Sequence, residues 1–170
     1  KENNFTKAIK KLLIKSLLYI VKKYLKKGVI IKMTVTDILE QYRLSPEKHN
    51  EIFEQIKNFF LYGKYPVESP TAIVDLGPPG SGKTGLNSYS RIQFSNDNVI
   101  IVNGDEIRSM FPNSAIIAQQ HPDLYAQITD QSSRIWTRDL FEMLLKKKYN
   151  IIFEGTGRNT SILDTIKNQM

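Results

Sequence analysis

The sequence predicts an α/β fold in which a parallel sheet lies between two layers of helices, and two observations support this prediction. Short apolar or β-branched runs occur at residues 71–76, 99–103 and 151–153, as expected of buried parallel strands. Residues 83–94 and 124–147 separate these runs and are predicted to be helical. Strands that alternate with helices in this way are typical of parallel sheets.

A further helix is predicted before the first strand, at residues 45–62. Ser45 can cap it, Pro46 suits its first position, and Gly63 can end it. Its apolar residues form one stripe, which consists of Ile52, Phe53, Ile56, Phe59 and Phe60. The stripe indicates a packing role rather than a chemical one.

Three parts are predicted along the chain: a basic leader at residues 1–32, a helical segment at 33–66 and an α/β core at 67–170. The chain ends one helix after the third predicted strand, whereas sheets of this kind usually contain a fourth. We therefore expect the core to be truncated at its C-terminus.

The net charge of +7 is concentrated in the leader. Residues 1–32 contain ten lysines and one glutamate, whereas the remaining residues carry 14 Lys and Arg against 16 Asp and Glu. Nothing after the leader therefore favours a nucleic-acid partner. The leader has helical periodicity, and three interpretations of it stay open: a helix on an anionic membrane surface, a solvated helix, or translated sequence upstream of a natural start at Met33.

The chain contains no cysteine and no apolar run of about 18 residues. Disulfides and thiolate metal sites are therefore excluded within this chain, and no transmembrane helix is predicted. We expect a cytoplasmic protein.

A glycine-rich motif follows the first predicted strand and matches G-x-x-x-x-G-K-[ST], the phosphate-binding loop of P-loop NTPases. Its glycines let backbone N–H groups close around phosphate oxygens, and a helix is predicted to begin there. This motif narrows the predicted fold class to a P-loop three-layer α/β/α domain, and we predict that the domain binds ATP or GTP with Mg²⁺. The predicted nucleotide-binding residues are Gly77, Pro78, Pro79, Gly80, Ser81, Gly82, Lys83 and Thr84, with Thr84 also a Mg²⁺ ligand.

A carboxylate, Asp105, follows the second predicted strand. Ligands bind at the carboxyl ends of parallel strands, and a kinase with a hydroxyl acceptor needs a carboxylate there to orient or deprotonate the hydroxyl. We predict that Asp105 and Lys83 are catalytic. Two other interpretations of Asp105 stay open: a cap for a helix that begins at Glu106, and an outer-sphere partner of Mg²⁺.

Three polar residues follow the third predicted strand: Glu154, Thr156 and Arg158. Glu154 and Thr156 share a face if the strand continues that far, and Arg158 can stabilise phosphate charge. We predict that all three contact the substrate. The alternative is a glycine-rich turn with a surface arginine.

Four segments together resemble the zeta-toxin family, the P-loop kinases of bacterial epsilon/zeta-type toxin–antitoxin systems. Their sequences are VESPTA at 67–72, PGSGKT at 79–84, VNGD at 102–105 and YNIIFEGTGR at 149–158. The loop alone is common to many families, but the combination at this spacing is specific, and the similarity spans residues 36–168.

The resemblance implies a kinase that phosphorylates a sugar hydroxyl of UDP-N-acetylglucosamine and pairs with a cognate antitoxin. It implies that Asp105 is the base and that Lys83 and Thr84 act on the nucleotide and Mg²⁺. Glu154 and Thr156 would contact the sugar nucleotide.

The chain departs from the family in the acceptor pocket and at its end. Arg138, with Asp139 beside it, stands near the position where the family has an acidic residue. The arginines that grip the transferring phosphate in the family would lie beyond Met170. Two other hypotheses therefore stay open: a P-loop kinase for another small molecule, such as an antibiotic or a nucleotide, and a nucleotide-binding module without turnover.

Overall fold

The computed structural model describes residues 14–16, 19, 33–78, 80–82, 85, 90–156 and 166–167. Two compact units are present, Lys1–Gln41 and Tyr42–Met170. In the first unit, helix α1 (Val35–Gln41) begins after Thr34, which exchanges hydrogen bonds with Asp37: each side chain accepts from the other residue's backbone N–H. Most of the predicted leader helix lies outside the described residues, and the three predicted parts of the chain stay a prediction.

The second unit contains the predicted α/β core. Its elements are α2 (Pro46–Leu61), β1 (Ala72–Leu76), a 3₁₀ turn (Ser95–Asp97), β2 (Ile100–Asn103), α3 (Gly104–Ser109), α4 (Ser114–Gln120), α5 (Tyr125–Lys146) and β3 (Ile151–Gly155). All three predicted strands are confirmed, as are the helices predicted at 45–62 and 124–147. Of the helix predicted at 83–94, the described positions 85, 90 and 91 are helical, but residues 92–94 form a turn, so its predicted end is wrong.

The described strands form a parallel sheet in the order β1–β3–β2, with helices on both sides. This arrangement confirms the predicted P-loop α/β fold class. β3 pairs with β1 from Ala72↔Ile151 to Leu76↔Gly155, and with β2 from Ile100↔Ile151 to Asn103↔Glu154. The strand that leads into the phosphate loop and the strand that leads to Asp105 are therefore separated by β3.

Helix α5 covers one face of the sheet with its apolar residues. Trp136, Leu140 and Leu144 are fully buried, and Phe141 meets Phe153 of β3 edge to face, with ring centroids 5.0 Å apart. The prediction that Trp136 belongs to the core is confirmed.

Small hydroxyl residues also lie on the buried side of α5. Thr129 and Ser133 donate to the backbone oxygens of Tyr125 and Asp130, at 2.8 and 3.1 Å, so their hydroxyls are satisfied inside the helix.

Helix α2 packs against α5 through Ile52, Ile56 and Phe60, which are buried, whereas Phe59 is 58% exposed. The predicted apolar stripe therefore includes one residue, Phe59, whose side chain is mostly exposed. Ser45 caps the helix as predicted, since its hydroxyl accepts from the backbone of Lys48 at 3.2 Å. No helix within the described residues is long and apolar enough to cross a membrane.

A ring contact fixes α2 on α5. Trp136 Nε1 donates to His49 Nδ1 at 3.1 Å, and the two rings lie 4.7 Å apart. Burial lowers the pKa of His49, which favours the neutral ring that can accept this bond.

Two asparagines join the amino ends of the strands. The Asn98 carboxamide exchanges hydrogen bonds with both backbone groups of Tyr65, at 3.0 and 2.9 Å. Asn150 donates to the backbone oxygen of Asn98 and accepts from the backbone N–H of Thr71, both at 3.0 Å. These bonds hold the connector before β1 against the starts of β2 and β3.

Asp97 continues this connection at the surface. It accepts two hydrogen bonds from Arg91 and pairs with Lys64 at 3.2 Å. Chiefly because of the hydrogen bonds from Arg91, the pKa of Asp97 falls from 3.8 to about 2. Its backbone is left-handed, with φ of 53°, a conformation that asparagine also tolerates.

Asp97→Asn tests this connection without backbone strain. At pH 7 we expect the free energy of unfolding to fall by about 0.5–1 kcal/mol, since solvent screens a half-exposed ion pair. A carboxylate with a lowered pKa stabilises the fold above its unfolded pKa, so the difference between variant and wild type should shrink between pH 3.8 and about 2. Urea denaturation at several pH values measures it, with the exposed Asp123→Asn as the control. A pH-independent difference would contradict the assigned role.

Candidate functional site

The described part of the phosphate loop has an open, glycine-dependent backbone. Gly80 and Gly82 have φ of 81° and 83°, which side chains rarely adopt, and no atom of the described residues lies within 4 Å of a Cβ built on either. The loop begins at the sheet edge, where Gly77 N donates to Gly155 O at 3.1 Å. Open space above exposed glycines fits a cradle for phosphate oxygens. Pro79, Lys83 and Thr84 lie outside the described residues.

A row of three polar side chains crosses the sheet at its carboxyl edge. Asp75, Glu154 and Asn103 are register neighbours on β1, β3 and β2, so their side chains share one face. The opposite face carries Phe153 and Val102, which belong to the apolar core. The polar row therefore lies on the face of the sheet opposite Phe153 and Val102, at the end where the phosphate loop begins.

Asn103 joins two of the predicted site residues. Its Nδ2 donates to Glu154 Oε2 at 2.7 Å, and its Oδ1 accepts from the backbone N–H groups of Asp105 at 2.8 Å and Glu106 at 3.4 Å. Asn103 is thus the N-cap of α3 as well as a partner of Glu154.

Asp105 stands at the start of α3 with 85% of its side chain exposed. Its Oδ1 accepts from Arg108 Nη1 at 2.9 Å. Arg108 also donates from Nη2 to Asp130 of α5 at 2.9 Å, and Asp130 pairs in turn with Arg134 at 2.7 Å. Alternating charges therefore fasten α3 to α5, while Asp105 keeps most of its carboxylate accessible to a ligand.

The distance between the phosphate loop and Asp105 follows from the strand order. With β3 between them, the ends of β1 and β2 are two strand spacings apart, about 9–10 Å. An acceptor hydroxyl and a transferring phosphoryl group can occupy a gap of this size, with Glu154 on the strand between. Thr156 is exposed just beyond β3, and Arg158 lies outside the described residues.

The position at which the family's acidic residue is expected carries an arginine that is paired locally. Arg138 donates from Nη2 to Asp139 at 2.7 Å, and Arg138 is exposed. Within the described ranges, no group of three or more His, Cys, Asp and Glu side chains could hold a metal ion. Mg²⁺ in kinases is bound by few protein ligands and by substrate phosphates, so the predicted ligand Thr84 does not require such a group.

Four residues of this edge were not assigned from the sequence: Asp75, Asn103, Arg108 and Asp130. Asp75 could have been noticed, because a carboxylate is unusual within an apolar strand. The contacts of Asn103 with Glu154 and of Arg108 with Asp130 join residues 51 and 22 positions apart, which no local pattern indicates.

Comparisons with known proteins identify relatives. The sequence model named Zeta toxin matches residues 61–170. The chain is 38% identical over 103 residues to the zeta toxin of Enterococcus hirae and 36% identical over 103 residues to that of Streptococcus pyogenes. Each of these alignments covers 60% of this chain and 35% of the relative. It is 28% identical over 100 residues to toxin PezT of Streptococcus pneumoniae, which covers 59% of this chain and 39% of that protein. The chain thus spans little more than a third of these relatives.

A solved structure from the PezAT chromosomal toxin–antitoxin system of Streptococcus pneumoniae has the same fold. The TM-score is 0.67 at 23% sequence identity, with 75% of this chain and 54% of that chain covered. At this identity the likeness concerns the fold alone.

Substitutions of Asp75 test whether the buried carboxylate of the polar row lacks a hydrogen-bond partner in the protein. It is 7% exposed, and its Oδ2 has no hydrogen-bond partner among the described residues. An unpaired buried polar group costs about 1–3 kcal/mol, so Asp75→Val should raise the free energy of unfolding by about that amount. Asp75→Asn, which keeps a polar group of the same shape, should raise it less. Urea denaturation measures both variants, and a Val variant less stable than wild type would show that the carboxylate is paired in the protein.

Proposed function

The chain belongs to the zeta-toxin family, and from this premise we propose that its protein is a P-loop kinase that transfers the γ-phosphate of ATP or GTP to a hydroxyl of UDP-N-acetylglucosamine. The observation that carries the proposal is the meeting of three groups at one edge of the sheet. These are the open phosphate loop after β1, Glu154 at the end of β3 and the exposed Asp105 after β2. A phosphate cradle faced by an accessible carboxylate fits transfer of a phosphoryl group to a hydroxyl that the carboxylate can deprotonate.

On the donor side, the loop binds the nucleotide. Backbone N–H groups around Gly80 and Gly82 surround the phosphates, and Lys83 contacts the terminal phosphates. Thr84 would hold Mg²⁺, which neutralises negative charge on the phosphates when bound. Arg158 adds positive charge near the transferring group.

On the acceptor side, Asp105 acts as the base. The acceptor oxygen bonds to the γ-phosphorus, the bond from that phosphorus to the β–γ bridging oxygen breaks, and the hydroxyl proton passes to the Asp105 carboxylate. ADP or GDP leaves with the bridging oxygen. Glu154 and Thr156 contact the sugar nucleotide and hold its hydroxyl in line with the phosphate.

A protein partner is part of the proposal. The relatives are named as toxins, and the solved structure of the same fold comes from a toxin–antitoxin system. We therefore propose that a cognate antitoxin binds this protein and that no nucleic acid is needed for its activity.

Asp105→Asn tests the reaction. In the full-length protein, with UDP-N-acetylglucosamine as acceptor, kcat should fall by about 10²-fold or more, because asparagine cannot accept the proton. The dissociation constant for ATP should stay within about twofold, since Asp105 lies away from the loop. Asp123→Asn is the matched control. A kcat within about tenfold of wild type, equivalent to about 1.4 kcal/mol in barrier, would show that Asp105 is not the base. Transfer of phosphate to an antibiotic or a nucleotide instead would support a P-loop kinase with a different acceptor.

Lys83→Ala tests the nucleotide site. Loss of its charge beside the phosphates should weaken ATP binding or abolish turnover, as measured by calorimetry and by release of ADP. Lys48→Ala, which removes an exposed lysine paired with Glu51 on α2, should change neither. Unchanged binding together with unchanged turnover in Lys83→Ala would refute a phosphate-loop function.

A further inference from the structure

Asn103 contacts the two residues on the acceptor side of the site, the carboxylate of Glu154 and the backbone of Asp105. One end of its carboxamide donates to Glu154 Oε2 at 2.7 Å, and the other accepts from the backbone N–H of Asp105 at 2.8 Å. Asn103 is half-buried at the end of β2, directly opposite Glu154 in the strand register. It therefore forms a short hydrogen-bonded connection from the central strand to the first turn of α3.

The orientation of the Asn103 amide is determined chemically at both ends. A carboxylate can only accept, so the NH₂ group must face Glu154. Backbone N–H groups can only donate, so the carbonyl oxygen must face Asp105 and Glu106. A flipped amide would set two acceptors together at one end and donors together at the other.

The two carboxylates that Asn103 connects are held differently by the rest of the fold. Glu154 lies on β3, which is paired on both sides. Asp105 lies on a six-residue helix, and its side chain is 85% exposed. The position of its carboxylate therefore depends on how the start of α3 is held, and Asn103 holds the start while Arg108 holds the side chain.

We propose that Asn103 is a positioning residue that fixes the acceptor-binding carboxylate Glu154 and the base Asp105 relative to each other. This inference rests on the proposed kinase function and deepens it. Phosphoryl transfer depends on placement and electrostatics more than on covalent chemistry by the protein. A displacement of about 1 Å can cost about 10²-fold in rate, so the amide connection should affect transfer far more than nucleotide binding.

Asn103→Ser separates positioning from capping. Serine caps helices about as well as asparagine, but it lacks the NH₂ group that reaches Glu154. We expect a melting temperature close to that of wild type and a KM for ATP within about twofold. We expect kcat/KM for the acceptor to fall by about tenfold or more. A purely structural role would move melting temperature and both substrates together.

Asn103→Asp provides a sharper comparison, because it also keeps the cap but places a carboxylate against Glu154. In the wild-type background it should lower kcat/KM for the acceptor at least as much as the serine change. In a Glu154→Gln background the same change should have little effect, since the introduced glutamine amide can donate to the introduced aspartate and restore the connection with its polarity reversed. The four proteins form a double-mutant cycle that measures the coupling directly.

The outcomes distinguish this inference from the function on which it rests. Wild-type protein that transfers no phosphate to UDP-N-acetylglucosamine, an antibiotic or a nucleotide overturns both. Active wild type with an unaffected Asn103→Ser variant overturns the positioning role alone, as does an Asn103→Asp effect of equal size in both backgrounds. A loss of acceptor kcat/KM that disappears in the Glu154→Gln background supports it.

Discussion

The pairing of β3 with both neighbouring strands is the constraint on which the site depends. Because β3 is central, one register aligns Asp75, Glu154 and Asn103 and separates the phosphate loop from Asp105 by two strand spacings. A slip of one residue in this pairing would turn Glu154 toward the apolar face and Phe153 toward the polar one. The buried contact between Phe153 and Phe141 opposes such a slip, so core packing and site geometry are specified together.

Several polar side chains near this edge form hydrogen bonds that connect different elements of the fold. Asn103 spans a strand and a helix, and Arg108 spans α3 and α5 through Asp105 and Asp130. Asp75 contrasts with them, since its buried Oδ2 has no partner within the described residues. An unpaired group of this kind lowers stability, and functional sites are where proteins most often retain such costs.

The sequence was sufficient to predict the strands, α2, α5 and the fold class, because each depends on local signals. The cap at Ser45 and the apolar spacing of Trp136 and Leu140 are examples. The strand order β1–β3–β2 was not predictable, since periodicity carries no information about which strands pair. The partnership of Asn103 with Glu154 depends on that order. The short helix α4 was missed because a few residues carry too little periodicity. A helix at α3 was only an open alternative that began at Glu106 with Asp105 as its cap, whereas the cap is Asn103. The placement of Lys83, Thr84 and Arg158 stays a prediction.

The two ends of the sheet differ in cross-linking. At the amino end, Asn98 and Asn150 tie the connector before β1 to the starts of the other two strands, and Val67 N donates to Lys148 O at 2.9 Å. At the carboxyl end, Asn103 and Gly77 each bond to β3, but exposed glycines follow β1 and leave the chain there without such ties among the described residues. Local opening free energies should therefore rise from the carboxyl edge to the amino edge, and amide hydrogens near Ile100 and Ile151 should exchange most slowly. Ligands can then be admitted and released at one edge while the sheet stays paired at the other.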